Sequence, residues 1–197
     1  MMQYILAIVF VLGISGCSTT TPAVSEYRLK AKTQESKSMA CKTTLKVHKV
    51  FTNAALSSRK IYYGEGQYKE FAYTQSQWSD ALDRMLSDII TQSIIQREIY
   101  KSVASYKSQA KTDFVLEVNV EEFMQFYDEL HTKSYAKVRL RATLLDTKNK
   151  KQKASQTFEA TYPVNTLNVE GGVIALDSAL DELMQSMLIW LEGTCHD

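Results

Sequence analysis

The sequence has little of several features that would mark a particular class of protein. Among 197 residues there are two prolines, three cysteines and three histidines, and we find no repeat or long low-complexity tract. The formal net charge of +1 gives no sign of a nucleic-acid partner or a strongly acidic one. The cysteines and histidines form no cluster with metal-ligand spacing, so we predict neither a metal nor a cofactor.

Charged side chains are also missing from residues 1–16, where an apolar run is followed by the tetrapeptide ISGC at residues 14–17. The run, residues 4–13, is shorter than the roughly 20 residues that a membrane-spanning helix needs. A short apolar segment that ends in small residues before a cysteine is typical of a bacterial lipoprotein signal peptide. We therefore predict a signal peptide over residues 1–16 and lipidation of Cys17. An uncleaved N-terminal anchor and a buried core helix are the alternatives.

Lipidation would determine where the mature chain resides. Each buried methylene contributes about 0.8 kcal/mol, so stable attachment takes more than one acyl chain, and we expect several on Cys17, palmitate among them. Ser18 follows Cys17, whereas an aspartate there would be typical of retention at the inner membrane. We therefore predict the periplasmic face of the outer membrane, with the inner membrane as the less favoured location.

The rest of the chain divides into a polar segment and one domain. Residues 17–40 are rich in Ser and Thr, and we predict a lipidated tether there. Within this segment Tyr27-Arg28-Leu29 is a candidate for a short edge strand. Residues 41–197 have the length of one ordinary domain.

Two cysteines remain once Cys17 is assigned to lipidation. Cys41 and Cys195 form an even pair, and in an oxidising compartment they are candidates for a disulfide. Cys41 precedes the first predicted strand of the domain and Cys195 follows its last predicted helix. A bridge would therefore join the two ends of the domain, and two unpaired thiols are the alternative.

Alternating apolar and polar residues predict most of the sheet. The predicted strands cover residues 43–50, 61–63, 68–73, 100–105, 114–126, 136–144 and 155–162. The last three are joined by short connections, which indicates an antiparallel meander.

Apolar residues at helical spacing predict two long helices. The first begins at Ser76 or Gln77, with Ser76 as the better N-cap, and the second covers residues 169–190. Gly171 and Gly172 fall in the first turn of the second helix and indicate close backbone packing or a bent entry. The predicted fold is α+β, an antiparallel-rich mixed sheet with two long helices packed on one face.

Few residues point to catalysis. None of the histidines is paired with a nucleophile in a recognisable motif; they are His48, His131 and His196. Glu121 and Glu122 are neighbours on a strand, and such neighbours point to opposite faces, so they are poor candidates for a shared proton. The lysines of residues 148–153 indicate a solvated turn, with contact to anionic lipid head groups or an acidic partner as the alternative. We predict no catalytic residues and no enzyme; a periplasmic hydrolase that uses His48 or His131 is the minor alternative.

Six short stretches occur in an order that is typical of a known family. They are Tyr27-x-Leu29, then Tyr62, Tyr68 and Ala72 around a hairpin, Trp78-x-x-x-Leu82-x-x-Met85-Leu86, Tyr135-Ala136-x-Val138-x-Leu140-x-Ala142-x-Leu144, Phe158-Glu159-Ala160-x-x-Pro163, and Gly171-Gly172-Val173-x-Ala175-Leu176-x-x-Ala179-Leu180. Over about residues 27–192 the chain thereby resembles the ABC-type transport auxiliary lipoproteins, the group that contains the paraquat-inducible lipoprotein partner of MCE-domain proteins.

This resemblance implies a function that spacing alone does not. Residues 41–197 would be an ABC-transport auxiliary domain, and the chain a non-enzymatic periplasmic component of an envelope lipid-transport system. Its partner would be an MCE-domain protein or the substrate-binding protein of an ABC transporter, and we also expect a homo-oligomer. An exposed edge strand, or the sheet face opposite the helices, would dock the partner. The alternative is an envelope structural or assembly lipoprotein that shares only the fold.

Overall fold

A computed structural model of the protein describes residues 23–30, 41–66 and 68–195. The predicted signal peptide, Cys17 and His196 lie outside these residues. In chain order the elements are β1 (Ser25–Tyr27), β2 (Cys41–Val47), β3 (Lys60–Glu65), β4 (Lys69–Trp78), α1 (Leu82–Gln96), β5 (Tyr100–Ala104), β6 (Phe114–Tyr127), β7 (Ser134–Asp146), β8 (Lys151–Pro163) and α2 (Val169–Gly193).

The sheet is assembled around β6. One edge of β6 pairs with β7 along its whole length, and β7 pairs with β8, both antiparallel. The other edge is shared by two parallel neighbours, β2 beside the first residues of β6 and β3 beside its last. β5 extends the sheet beyond β2, while β4 and then β1 extend it beyond β3. The predicted meander of the last three strands is confirmed.

Both helices pack on one face of this sheet, because each has one apolar side. Along β7 the residues that alternate with charged ones, such as Val138 and Leu140, are completely buried. They share one hydrophobic core with Leu86 and Ile90 of α1 and with Leu180 of α2. The predicted α+β fold, a mixed sheet with two long helices on one face, is therefore confirmed.

A β-bulge at Glu121 reverses the alternation along β6. Val120 pairs with Leu140 and Glu122 with Arg139, so Glu121 is the extra residue. Before the bulge the even-numbered residues face the helices, and after it the odd-numbered ones do, beginning with the buried Phe123. Both glutamates therefore face away from the helices. The expectation that Glu121 and Glu122 point to opposite faces is wrong for this reason.

The first helix starts later than predicted. Ser76 and Trp78 belong to β4, where they pair with Ser25 and Tyr27 of β1. The helix begins at Leu82 after Ala81, which has no side-chain cap, while Asp80 accepts a hydrogen bond from the backbone nitrogen of Ala81. The predicted start failed because strand pairing with a distant segment outweighed a local cap preference.

Part of the segment predicted as a tether belongs to the folded sheet. β1 pairs with the end of β4, and the backbone nitrogen of Ser79 donates to the carbonyl oxygen of Tyr27. Leu29 is buried in the core, and Glu26 accepts a hydrogen bond from Arg59 at 2.5 Å. Only residues before β1 remain between Cys17 and the domain, and the remaining predicted boundaries stay predictions.

Cys41 and Cys195 lie side by side, with their Cα atoms 5.4 Å apart. This separation is within the usual range for disulfides. The contact joins the first residue of β2 to the end of α2, across 154 residues of sequence.

The first turn of α2 packs too closely for side chains larger than glycine. Asn168 caps the helix by accepting a hydrogen bond from the backbone nitrogen of Gly171 at 2.9 Å. A Cβ atom on Gly171 would collide with the backbone carbonyl of Thr166, and one on Gly172 with the buried side chain of Gln125. The prediction that these glycines permit close packing is confirmed.

We expect that removal of the Cys41–Cys195 bridge, by Cys41→Ser together with Cys195→Ser, lowers the free energy of unfolding by at most about 5 kcal/mol. The physical reason is the gain in entropy of an unfolded chain that loses so long a closed loop. Urea unfolding of the wild type, with and without reductant, and of the double variant measures the effect. Equal midpoints for oxidised and reduced wild type would show that the two cysteines are not bridged.

Gly171→Ala is expected to destabilise the domain by about 1–3 kcal/mol, because the added methyl group forces the backbone near Thr166 to move. Gly193→Ala is the matched control, since nothing lies within 4 Å of a Cβ atom at that helical position. It should be neutral or stabilise by up to about 1 kcal/mol. Urea unfolding of both variants checks this, and an equal effect of the two substitutions would contradict the proposed packing role of Gly171.

Candidate docking surface

The sheet face opposite the helices, the open face, carries a network of charges across three strands. We call this network the ion-pair ladder; it consists of Glu121 and Glu122 on β6, Lys137, Arg139 and Arg141 on β7, and Glu159 on β8. Lys137 Nζ lies 3.0 Å from Glu122 and 3.5 Å from Glu159. Arg139 and Arg141 both contact Glu121, at 2.9 and 3.2 Å. The bulge makes this possible, because it brings both glutamates to the open face.

The ion-pair ladder contributes little to stability but orders the open face. Its three acidic and three basic side chains are all partly exposed, and such pairs contribute about 0–1 kcal/mol each. A hydrogen bond with Glu122 raises the pKa of Lys137, because it stabilises the charged ammonium group. The result is a polar surface without net charge in which each charged side chain already has a partner.

β8 forms one edge of the sheet. It pairs only with β7, and no other strand of the described residues covers its outer edge. Phe158 and Ala160 are buried beneath α2, where the ring of Phe158 packs edge-on against Trp190. β8 is therefore held firmly on one face while the hydrogen-bonding groups of its outer edge remain available.

The two ends of β8 carry residues that discourage strand pairing, and its middle does not. Lys151 and Lys153 lie at the beginning of β8 and Pro163 at its end. Lysine and proline are typical of edge strands that avoid association. Between them residues 154–162 contain only one charged side chain, Glu159, which belongs to the ion-pair ladder. The middle of β8 thus offers a free backbone edge beside an ordered polar face.

The two histidines of the described residues, His48 and His131, do not converge on a catalytic arrangement. The ring of His48 stacks on Phe51 at the end of the β2 segment, 5.0 Å between centroids. His131 lies in the β6–β7 turn, where it stacks on Tyr127 and contacts Glu65 at 3.1 Å. Within the described ranges we find no group of three or more side chains able to hold a metal ion.

The lysines of residues 148–153 are exposed, and two of them also contact other elements. Lys148 Nζ lies 3.8 Å from Asp113, and Lys153 donates to the carbonyl oxygen of Thr194 at 2.8 Å. The predicted solvated turn is therefore correct for its tip, whereas Lys153 also ties β8 to the end of α2.

A buried polar network links the sheet to the start of α2, and no sequence pattern indicated it. Gln125 accepts a hydrogen bond from the hydroxyl of Tyr73 at 3.0 Å and donates to Ser134 at 2.9 Å. Tyr73 also shares a hydrogen bond with Tyr127, and burial together with this contact raises the pKa of Tyr73. The available indication was Gly172, which packs over Gln125.

The described part of the chain includes no helix that is long and apolar enough to cross a membrane.

The same fold occurs in solved structures of bacterial proteins. A crystal structure of a Xanthomonas campestris protein from the family DUF330 matches with a TM-score of 0.78 and 19% identity, over 86% of this chain and 96% of that one. A hypothetical protein from Chlamydia trachomatis matches with a TM-score of 0.56 and 12% identity, over 78% of this chain and 98% of that one. At these identities the matches show the fold alone. No curated protein matches the sequence significantly.

The sequence also matches a family directly. Residues 27–187 match the model of a family described as "ABC-type transport auxiliary lipoprotein component". This is not a family of enzymes. The matched range extends from the last residue of β1 into α2 and includes β6, the ion-pair ladder and β8. The chain belongs to the family of ABC-type transport auxiliary lipoprotein components.

Proposed function

We propose that the chain is a non-enzymatic, lipid-anchored component of an ABC/MCE-type lipid-transport system of the cell envelope. Acylated Cys17 holds it on the periplasmic face of the outer membrane, and β8 with the adjoining open face docks an MCE-domain or substrate-binding partner. The family match over residues 27–187 is the observation that carries this proposal, because it makes the chain an auxiliary lipoprotein of ABC transport.

The shape and chemistry of β8 support docking by strand addition. An extended segment of the partner can hydrogen-bond to the outer edge of β8, as peptides do at other exposed sheet edges. The ion-pair ladder then supplies specificity, since Arg139, Arg141 and Glu159 are exposed enough to exchange their present partners for groups on the partner. Because the ion-pair ladder has no net charge, an unrelated charged protein gains nothing from binding there. Self-association through the same edge would give the expected homo-oligomer.

Mass spectrometry of the mature N-terminus is expected to find acylated Cys17 as the first residue. Cys17→Ser should move the protein from the membrane fraction to the soluble fraction, because the acyl chains supply the anchoring energy. Cys41→Ser is the control and should stay in the membrane fraction. Unmodified Cys17 in membrane-bound protein would contradict lipid anchoring.

Affinity purification of the acylated protein from envelope membranes is expected to recover an MCE-domain protein or a subunit of an ABC transporter. Thr157→Lys, in the middle of β8 on the open face, should reduce this recovery, because an added lysine on an edge strand opposes pairing. Ser186→Lys adds the same charge on the exposed side of α2 and should leave recovery unchanged.

Two results of this purification would count against the proposal. Recovery of no transport subunit, under conditions that preserve other envelope complexes, would favour a structural or assembly lipoprotein that shares only the fold. Equal loss with Thr157→Lys and Ser186→Lys would show that docking does not use β8.

A further inference from the structure

The two ends of the sheet differ in chemistry. We call one the turn end; it consists of the β3–β4 turn at Gly66 and Tyr68, the β6–β7 turn at residues 128–133, the β8–α2 loop at residues 164–168, and the strand residues that adjoin these three connections. We call the other the lysine end; it consists of the β5–β6 loop at residues 105–113 and the β7–β8 turn at residues 147–150. Register places the former connections together, because Glu65 pairs with Tyr127 and Tyr135 with Pro163.

Exposed apolar side chains concentrate at the turn end. Of the large hydrophobic side chains that are exposed in the described residues, more than half lie there: Tyr68, Phe71, Leu130, Tyr135, Tyr162 and Leu167. Tyr68 and Leu130, at the tips of two neighbouring turns, are 92% and 81% exposed. Single exposed apolar residues are normal on a protein surface, but a group of them at one end marks an interaction site.

Stacked aromatic rings support these tips. Tyr63 packs against Tyr73 at 4.6 Å between ring centroids, and Phe126 stacks on Tyr135 at 5.3 Å. His131 directly follows Leu130 in the chain, and its ring stacks on Tyr127. Tyr68 and Leu130 therefore project from a rigid base.

The lysine end is polar throughout. No large hydrophobic side chain is exposed in either of its connections. Lys107, Lys111, Lys148 and Lys150 are exposed there. The turn end instead carries more carboxylates than lysines, since Glu65, Glu70, Asp128 and Glu129 face only Lys69 and Lys133 there. The lysine end would therefore attract an anionic surface, whereas the turn end would bind more favourably to a neutral surface with an apolar layer.

The direction of β1 points the N-terminal chain toward the turn end. β1 is parallel to β4, which begins at the β3–β4 turn, so the chain before Ser25 leaves toward that turn. β1 pairs with β4, β4 with β3, and β3 with β6. Followed across these pairings, β1 lies at about the same height along the sheet as Phe123 of β6. From that level the strand rises about 13 Å to Tyr127 at the turn end but runs about 27 Å back to Phe114, because Glu121 is an extra residue, and the connections of the lysine end lie farther still.

The chain between Cys17 and Ser25 limits how far the anchor lies from the domain. Fully extended, this stretch spans at most about 28 Å. Cys17 can therefore pass the turn end with length to spare. To reach the lysine end, the chain would have to reverse direction, and its full extension of about 28 Å would be used up by the level of Phe114, before the connections of that end.

We propose that the turn end rests on the lipid surface, with Tyr68 and Leu130 inserted at the boundary between head groups and acyl chains of a zwitterionic bilayer. This inference rests on the proposed anchoring through Cys17. Tyrosine suits that depth because its ring is apolar and its hydroxyl finds water or head groups, and leucine adds apolar area. β8 then extends away from the membrane surface, and the lysine end is directed into the periplasm. The outer edge of β8 stays accessible to a partner.

Fluorescence quenching by brominated lipids tests this orientation. The oxidised chain from Cys17 onward is coupled through its Cys17 thiol to a maleimide lipid in vesicles of phosphatidylcholine and phosphatidylethanolamine, with peptide mapping to verify the coupled residue. Leu130→Trp reports on the turn end and Lys148→Trp on the lysine end, where the Lys148 side chain is 82% exposed. The uncoupled proteins provide the background from buried Trp78 and half-buried Trp190.

With brominated acyl chains, Leu130→Trp is expected to lose most of its added emission and to shift to shorter wavelength, whereas Lys148→Trp should be unchanged. Tyr68→Asp introduced beside Leu130→Trp should restore the emission, because a carboxylate resists insertion. Quenching of Lys148→Trp, or of neither reporter, would overturn the proposal. Since the coupling is chemical, a finding that Cys17 is not acylated in the cell would refute the proposed anchor without changing this result.

Discussion

The pairing of β6 along both of its edges, interrupted by one bulge, is the constraint on which this structure depends. β7 occupies one edge completely, and β2 and β3 divide the other. Glu121 adds one residue to β6 that β7 does not match, and the side-chain alternation reverses there. A strand that kept strict alternation through this point would turn Phe123 toward solvent and Glu122 toward the core, at the cost of burying a charge.

Features on both faces of the sheet follow from that single extra residue. On the open face it places two adjacent glutamates opposite the cations of β7, which produces the ion-pair ladder. On the helix face it places Gln125 under the first turn of α2, where Tyr73 and Ser134 satisfy its amide and Gly172 leaves room for it. The bulge thus orders a polar surface and the entry of a helix at once, although these lie on opposite sides of the sheet.

In the proposed function, the architecture separates three tasks in space. The helices and the buried side of the sheet provide stability, while the middle of β8 offers backbone hydrogen-bonding groups for a partner. The turn end has the exposed apolar groups and lies nearest to the exit of the N-terminal chain. Because β1 is part of the sheet, the link to Cys17 is short, and a short link restricts orientation more strongly than a long flexible one.

The amino-acid sequence by itself determined much of this protein, because its patterns depend on near neighbours along the chain. Alternation identified the β6–β8 meander, helical spacing identified α2 almost to its last turn, and the glycines at its start indicated close packing. The ordered stretches from Tyr27 onward indicated the family. Cys17 and the pairing of Cys41 with Cys195 were likewise predicted from composition and position, and they stay open to the experiments described.

Tertiary structure alone decided the features that arise between distant segments. Ser76 has the local chemistry of a helix cap, yet pairing with β1 keeps it in a strand. Asp83 of α1 is buried and forms an ion pair with the distant Lys49 at 2.7 Å. The bulge at Glu121 depends on the register with β7. The hydrogen bonds of Gln125 depend on two other strands, β4 and β7, and the grouping of Tyr68 with Leu130 depends on two turns that meet at one end of the sheet. Local patterns report what each residue prefers, whereas pairing across the sheet determines which preference is satisfied.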